Sequence, residues 1–452
     1  MRRIVMWAFF VLLSTGMLMV AFNVGLARAQ APQTVFINSD GSVSPSSAPI
    51  SNVGHNDTYT FYTLNGNISY PTYNGIIVER NKIIIDGNGY SVQGNNNGNL
   101  YDQSVGLNLT DMSNVLIENA NIENFHNGIY LYDSNSNSIT DDHATANEEG
   151  IYLDSSSHNT VSGNTATGQT SNASGIYLVY SNYDTVVGNN ATANVVGIVL
   201  LSSNNNTVSD NSATANSVGI DFYSSSNNTV SGNDASANSG DGIYLDSSSN
   251  NKIYHNNFVN NKLQAANSNS TNVWDDGYPS GGNYWSDYNG TDFFSGPYRN
   301  VTGSDGISDT PYVVDANNTD EYPLMGGFSD FNDVGQGVDV QVVSNSTVSD
   351  FQFNWTAILF NVSGVNGTTG FCNVRIATSL LNPLNVFVNG TQVQYSLLPS
   401  SNSSISYLYF TYGHSSEQVI IVPEFPAPLN LAMFMLATLL AVAIYKKRHS
   451  RS

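Results

Sequence analysis

From residue 106 to residue 245 the chain repeats one short alternation of apolar and polar positions seven times. The copies are Gly106-Leu-Asn-Leu, Gly128-Ile-Tyr-Leu, Gly150-Ile-Tyr-Leu, Gly175-Ile-Tyr-Leu, Gly197-Ile-Val-Leu, Gly219-Ile-Asp-Phe and Gly242-Ile-Tyr-Leu. They lie 22, 22, 25, 22, 22 and 23 residues apart. Alternation with a period of two is that of a β-strand. A fixed spacing of this size marks a solenoid, in which the apolar face of each rung is covered only by the next. Ile129, Leu131, Ile151, Leu153, Ile176, Leu178, Ile198, Leu200, Ile220, Phe222, Ile243 and Leu245 then share one face and form the core column, with the residue between each pair pointing away.

Two further columns run through the polar segments. Asn114, Asn137, Asn159, Asp184, Asn206, Asn228 and Asn251 make the first; Asn119, Asp142, Asn164, Asn189, Asn211, Asn233 and Asn256 follow five residues later. Stacked Asn side chains bond to the rungs above and below and tolerate the αL backbone that sharp corners demand. Asn159, Asn206, Asn228, Asn164, Asn211 and Asn233 are therefore structural ladder residues. A leucine-rich repeat has a similar period but needs a Leu-rich helical return, whereas the returns here read Ser-Ser-Ser-Asn-Asn-Thr-Val-Ser-Gly-Asn, which is β-branched and turn-forming. The pattern predicts a parallel β-helix of eight or nine rungs over residues 70–265, a rod about 40 Å long. The three extra residues near 168–174 should loop out.

His158-Asn-Thr-Val-Ser-Gly-Asn, Gly175-Ile-Tyr-Leu and Asn251-Lys-Ile-Tyr-His-Asn-Asn-Phe resemble the NosD-type right-handed β-helix, the carbohydrate-binding and sugar-hydrolase repeat. The resemblance implies the fold and leaves the activity open, because the same rungs carry unrelated functions.

The rest of the chain falls into segments. Residues 1–29 read as a secretory signal, with Arg2-Arg3 before an apolar stretch and cleavage after Ala29. Residues 30–69 are a cap, 70–266 the β-helix, 267–327 an aromatic and acidic C-terminal cap, and 328–421 alternating β runs that suggest a β-sandwich, with Asn389-Gly390 a type I′ hairpin signal. Residues 422–452 form a tail: residues 429–445 are nearly all apolar and Lys446-Lys447-Arg448 follows, a short membrane span with its basic end cytoplasmic. Pro423-Glu424-Phe425 before it resembles the PEF-CTERM sorting tail of archaeal surface proteins, which implies archaeosortase processing; a permanent anchor is the plain alternative. The expected class is all-β: a right-handed parallel β-helix, then a small β-sandwich, then a transmembrane segment.

Charge narrows the partners. The 35 carboxylates all lie in residues 30–428, opposed there by six basic residues, so nucleic acid is excluded as a partner. Cys372 is the only cysteine, which rules out an internal disulfide and reads as a small core residue. Dense Asn-X-Ser/Thr sequons suit an exported glycoprotein. Asp305 and Asp309 bracket Gly306 and are the candidate calcium ligands.

Enzymes on this fold that cleave polysaccharides use clustered carboxylates, or calcium with a basic residue. The only carboxylate pair on the rod with an adjacent His is Asp141-Asp142-His143, and Asp142 falls in a corner column. No Arg lies between Arg80 and Arg299. A hydrolase or lyase is thus the alternative reading. The favoured one is binding of a polysaccharide or envelope glycan by the outward residues Tyr130, Tyr152, Tyr177 and Tyr244, with Tyr132, Asp154, Tyr223 and Asp246 alongside: aromatic rings and carboxylates suit sugar faces and hydroxyls. A second alternative, NosD-like copper processing, needs clustered soft ligands, and His126, His143, His158 and His255 fall at unmatched rung positions.

Overall fold

A computed structural model describes residues 34–69, 74–95, 103–168, 173–333, 338–353, 357–378 and 384–423. The expected signal segment 1–29, Pro423's neighbours Glu424 and Phe425, the apolar stretch 429–445 and most of the insertion at 168–174 lie outside the described residues. No helix among the described residues is long and apolar enough to cross a membrane.

The chain winds into a right-handed parallel β-helix of about nine turns. One face is an eleven-stranded sheet, parallel except for Val43–Ser44 at its end. The second is a ten-stranded sheet, and the third a five-stranded sheet continued by a three-stranded one. A typical rung is Asn127–Tyr132, Ser138–Thr140 and His143–Thr145. Inside lie Ile129, Leu131, Ile139 and Ala144, all fully buried, in one continuous cluster with their counterparts above and below. The recurring glycine has a steric reason. A Cβ on Gly128 would stand 2.5 Å from the Gly150 carbonyl, and one on Gly197 2.6 Å from that of Gly219. At that corner successive backbones touch, and only glycine fits.

The coil begins earlier than the repeats indicate. Val35–Ile37 already pairs in parallel with Ile76–Val78, and Thr60–Leu64 with Ile83–Asp86. Residues expected to be a separate cap therefore supply the first turn, from which the hairpin of Ile50–His55 and Thr60–Leu64 projects.

The corners are hydrogen-bonded ladders. The amide of Asp184 donates to Asn206 Oδ1 at 2.7 Å, and that of Asn206 to Asn228 Oδ1 at 2.7 Å. Each Nδ2 reaches back to a carbonyl of the preceding turn, as from Asn206 to Ser181 at 3.0 Å. The second column behaves alike, with the Asn164, Asn189 and Asn211 amides donating to Asn189, Asn211 and Asn233 at 2.9, 2.9 and 3.0 Å. Two members are corrected. Val115 and Ala120, not Asn114 and Asn119, occupy the first rung's ladder positions, their amides donating to Asn137 and Asp142. Asn114 and Asn119 sit one residue earlier, in αL. Two further ladders went unread: serines 134, 156, 181, 203, 225, 248 and 270, each amide donating to the next hydroxyl at 2.8–3.0 Å, and Asn194, Asn216, Asn238 and Asn261.

Aromatic residues cover the last rung of the coil. Trp285 stacks on Phe258 at 4.7 Å and on Tyr312 at 4.2 Å. Both Asn columns end in it: Asn272 N donates to Asn318 and Asn283 N to Asp320, whose side chains also accept from the Trp274 and Trp285 indoles. Beyond it two five-stranded antiparallel sheets enclose their own core, with the type I′ turn at Asn389-Gly390, both at positive φ. Cys372 is fully buried there, and burial pushes its thiol up to about 11. The sheets dock on the coil's end: Asn257 exchanges two hydrogen bonds with the Phe328 backbone, and Phe328 stacks on His255 at 4.1 Å.

Candidate functional site

The outward face of the eleven-stranded sheet carries the residues expected to bind sugar, and the register is as read. Tyr130 pairs with Tyr152, Tyr152 with Tyr177, Tyr177 with Val199, Val199 with Asp221 and Asp221 with Tyr244. Beside them run Tyr132, Asp154, Val179, Leu201, Tyr223 and Asp246. The column is interrupted in its middle by an apolar band at Val179 and Val199, which separates Tyr130, Tyr132, Tyr152 and Tyr177 from Asp221, Tyr223 and Tyr244.

The rings do not lie open. Tyr152 is 5.1 Å from Tyr177 with planes 13° apart and 5.2 Å from Tyr130 at 43°. Identical side chains one strand spacing apart pack along the coil, so the Tyr152 and Tyr177 ring faces are turned to each other and Tyr130 leans on Tyr152. Burial, with Asp154 next in effect, pushes the Tyr130 hydroxyl up to about 12, and burial raises Tyr152 and Tyr177 as well. These hydroxyls are firm donors at any physiological pH. Tyr132 and Tyr223 are more open, at 40% each. Tyr180 and Tyr183, 60% and 57% exposed on the adjoining corner, were missed. They occupy αL corner positions, where tyrosine is the exception, and that exception was the available signal.

The carboxylates of this face differ in setting. Glu149 flanks the tyrosines, accepts the Ser174 amide at 2.9 Å, and is pushed up to about 7 by burial. Asp154 and Asp246 accept the neighbouring Ser155 and Ser247 hydroxyls. Asp221 is 8% exposed with Oδ1 lacking a hydrogen-bond partner, and burial followed by Asp241 and Asp246 raises it to about 7.

The other candidates disperse. Asp142 turns into the wall as a ladder residue, while Asp141 and His143 emerge beside Asp86 at a shallow pocket of about 370 Å³. The calcium candidates are largely engaged by backbone: Asp309 Oδ2 accepts from Phe293 and Phe294 while its Oδ1 is buried without a partner, Asp305 accepts from Ile307, and Asp292 ties the two loops by accepting from Asp305 and Gly306. The copper donors stay apart. His126 pairs with Glu148 at 2.7 Å, His158 stacks on Tyr183, and His255 is bonded to the Ser280 carbonyl and pushed down to about 4 by burial. Among the described residues no three His, Cys, Asp or Glu are grouped to hold a metal, so the donor set does not fit a copper site.

A right-handed β-helix with an outward tyrosine and carboxylate face defines the class. The chain belongs to the NosD family: the model described as periplasmic copper-binding protein (NosD) matches residues 35–290. No curated protein matches in sequence. Among solved structures, a double mutant of the periplasmic alginate epimerase AlgG aligns at 18% identity over 46% of this chain and 66% of its own, TM-score 0.35. The Dettilon tailspike protein aligns at 14% over 80% and 86%, TM-score 0.36. DFA-IIIase from Arthrobacter chlorophenolicus A6 without its lid aligns at 16% over 47% and 55%, TM-score 0.36. The family assignment rests on the family match alone.

Proposed function

We propose that this is an exported, non-catalytic glycan-binding protein of the cell envelope, with the tyrosine sheet as its binding surface, the β-sandwich as a stalk and the C-terminal tail as sorting signal or anchor. The observation that carries the reading is the in-register column Tyr130, Tyr152 and Tyr177 beside Glu149, Asp154 and Tyr132. The tyrosines have no part in the corner ladders and lie outside the buried core cluster, while Glu149 also holds the Ser174 amide of the next rung. The hydroxyls and carboxylates of this face can exchange hydrogen bonds with sugar hydroxyls, while the exposed rings of Tyr132 and Tyr180 offer apolar faces. Affinity electrophoresis through gels of embedded polysaccharide tests it. Tyr152→Phe with Tyr177→Phe removes two hydroxyls and keeps the stack, so retention should fall while the unfolding midpoint holds. Unchanged retention by every polysaccharide bound by the natural protein would count against the sheet.

A second reading has one observation in its favour. Asp221, buried, unpartnered at Oδ1 and close to Asp241 and Asp246, has the raised proton affinity of a general acid. A polysaccharide hydrolase built on it would release reducing ends, and Asp221→Asn would abolish that release. The absence of release by the natural protein on a panel that it binds leaves the binding reading alone.

A further inference from the structure

Basic side chains are scarce in this protein, and most are engaged. Lys252 pairs with Asp276, and Arg375 with Asp339 at 2.6 Å. Arg299 donates to the Glu321 carbonyl and lies 5.1 Å over the Tyr322 ring, and Lys262 stands near enough to Asp241 to lower its proton affinity. Arg80 and Lys82 form no ion pair among the described residues, although Arg80 stands near enough to Asp40 for its charge, after the Ser42 hydrogen bonds, to lower that carboxyl's proton affinity. Both line one open pocket of about 650 Å³ at the N-terminal end of the coil. A volume of that order suits a small ligand or a few sugar units.

The fold does not require cations here. Lys82 occupies the αL corner held in later rungs by Asn114, Ser136, His158, Tyr183, Asn205, Asn227 and Asn250, all at φ between 57° and 61°. Asparagine would serve that corner as well. The walls are nonetheless shaped around the charges. On one side the hairpin turn is fixed by Asn56 Oδ1, which accepts the Thr58 and Tyr59 amides at 2.8 and 2.7 Å. On the other, Arg80 donates to the Ser39 carbonyl at 3.2 Å, and a Cβ on Gly41 would come within 2.9 Å of its Nη1. The one carboxylate in the lining, Asp40, is held by the Ser42 amide and hydroxyl at 2.8 and 2.7 Å, with the Arg80 charge a lesser influence on it. The rest of the lining is hydroxyl, amide and imidazole, including Asn52, His55, Tyr59 and Asn81.

We propose that this pocket binds the anionic substituent of an acidic saccharide, a uronate carboxylate or a sulfate ester. Arg80 and Lys82 supply charge-assisted hydrogen bonds, and the polar walls engage ring hydroxyls. The site stands apart from the tyrosine sheet and does not depend on it. Because the chain as a whole carries a net charge of −22, long-range steering opposes anions, and affinity must come from these short contacts.

Titration calorimetry on the purified full-length protein, with a galacturonate trimer, a sulfated galactose trimer and neutral galactotriose, tests the proposal. At least one anionic ligand should bind about ten-fold or more tighter than the neutral one, and added salt should weaken it. Which anionic ligand binds identifies the substituent. Arg80→Gln with Lys82→Asn should reduce the affinity to the neutral level. Lys82→Asn alone keeps the αL corner and should still lose several-fold, so a folding defect in the double variant does not spoil the test. No binding of either anionic ligand, equal affinity for the neutral trimer, or affinity retained in the Lys82→Asn variant would each overturn the assignment.

Discussion

Asp142 stands in a ladder whose members on the next six rungs, from Asn164 to Asn283, are all asparagine, and replacing it by asparagine should make the protein more stable at neutral pH. Its Oδ1 accepts the Ala120 amide at 2.8 Å, while Oδ2 is buried without a partner. At the equivalent place one turn on, Asn164 Nδ2 donates to the Ile139 carbonyl at 2.9 Å. A carboxylate has nothing to donate there unless it carries a proton, and burial pushes Asp142 up to about 8 from 3.8. Its proton affinity is raised by folding, so the unfolded chain releases the proton first. Stability is complete below the unfolded value near pH 4 and declines as the pH rises towards 8. At pH 7 the difference amounts to about 4 kcal/mol as a ceiling, from about 1.4 kcal/mol per pH unit over the interval. Asp142→Asn should therefore melt like the natural protein at pH 4 and show a higher denaturant midpoint at pH 7 and pH 8. A variant equally or less stable at pH 7 would refute the ladder reasoning, and loss of a catalytic activity with unchanged stability would return Asp142 to the list of acids.

Asn206→Ala removes the acceptor of the Asp184 amide and the donor to the Ser181 carbonyl, both on the preceding turn, and should cost about 1–3 kcal/mol in denaturant unfolding. Gly197→Ala places a methyl 2.6 Å from the Gly219 carbonyl and 2.8 Å from Asn216 Nδ2, and should cost at least about 1–3 kcal/mol of unfolding free energy, read from denaturant unfolding. Cys372 should resist alkylation at pH 8 in the folded protein and react quickly in denaturant, read by mass spectrometry, because its thiol is fully buried and pushed up to about 11.

What could be read from the sequence follows from what repetition makes visible. Strand register and the inward column were legible because one apolar pattern recurs on every rung, and Asn159, Asn206 and Asn211 because asparagine is selected at corners. The serine ladder was not: serine also fills ordinary turns, so Ser156 and Ser181 look like their neighbours until their hydroxyls are seen accepting amides. The first turn escaped because Val35–Ile37 is three residues long and is separated from Ile76–Val78 by a hairpin, which breaks the period. The outward phase of Tyr152 was legible from alternation, but its stacking on Tyr177 was not, since ring orientation depends on side-chain torsions that a period-two pattern leaves free. Asp221 was readable as outward, yet its burial between Val199 and Tyr244 depends on the bulk of neighbours one turn away.

The claim that the tyrosine sheet binds glycan is tested most directly by hydroxyl-radical footprinting, with and without a saturating polysaccharide that affinity electrophoresis shows to be retained. Protection should concentrate on Tyr132, Tyr152, Tyr177 and Tyr180, while Tyr298 on the cap, 83% exposed, keeps its reactivity. Protection confined to the cap or the sandwich, with the sheet tyrosines labelled equally in both states, would contradict the account.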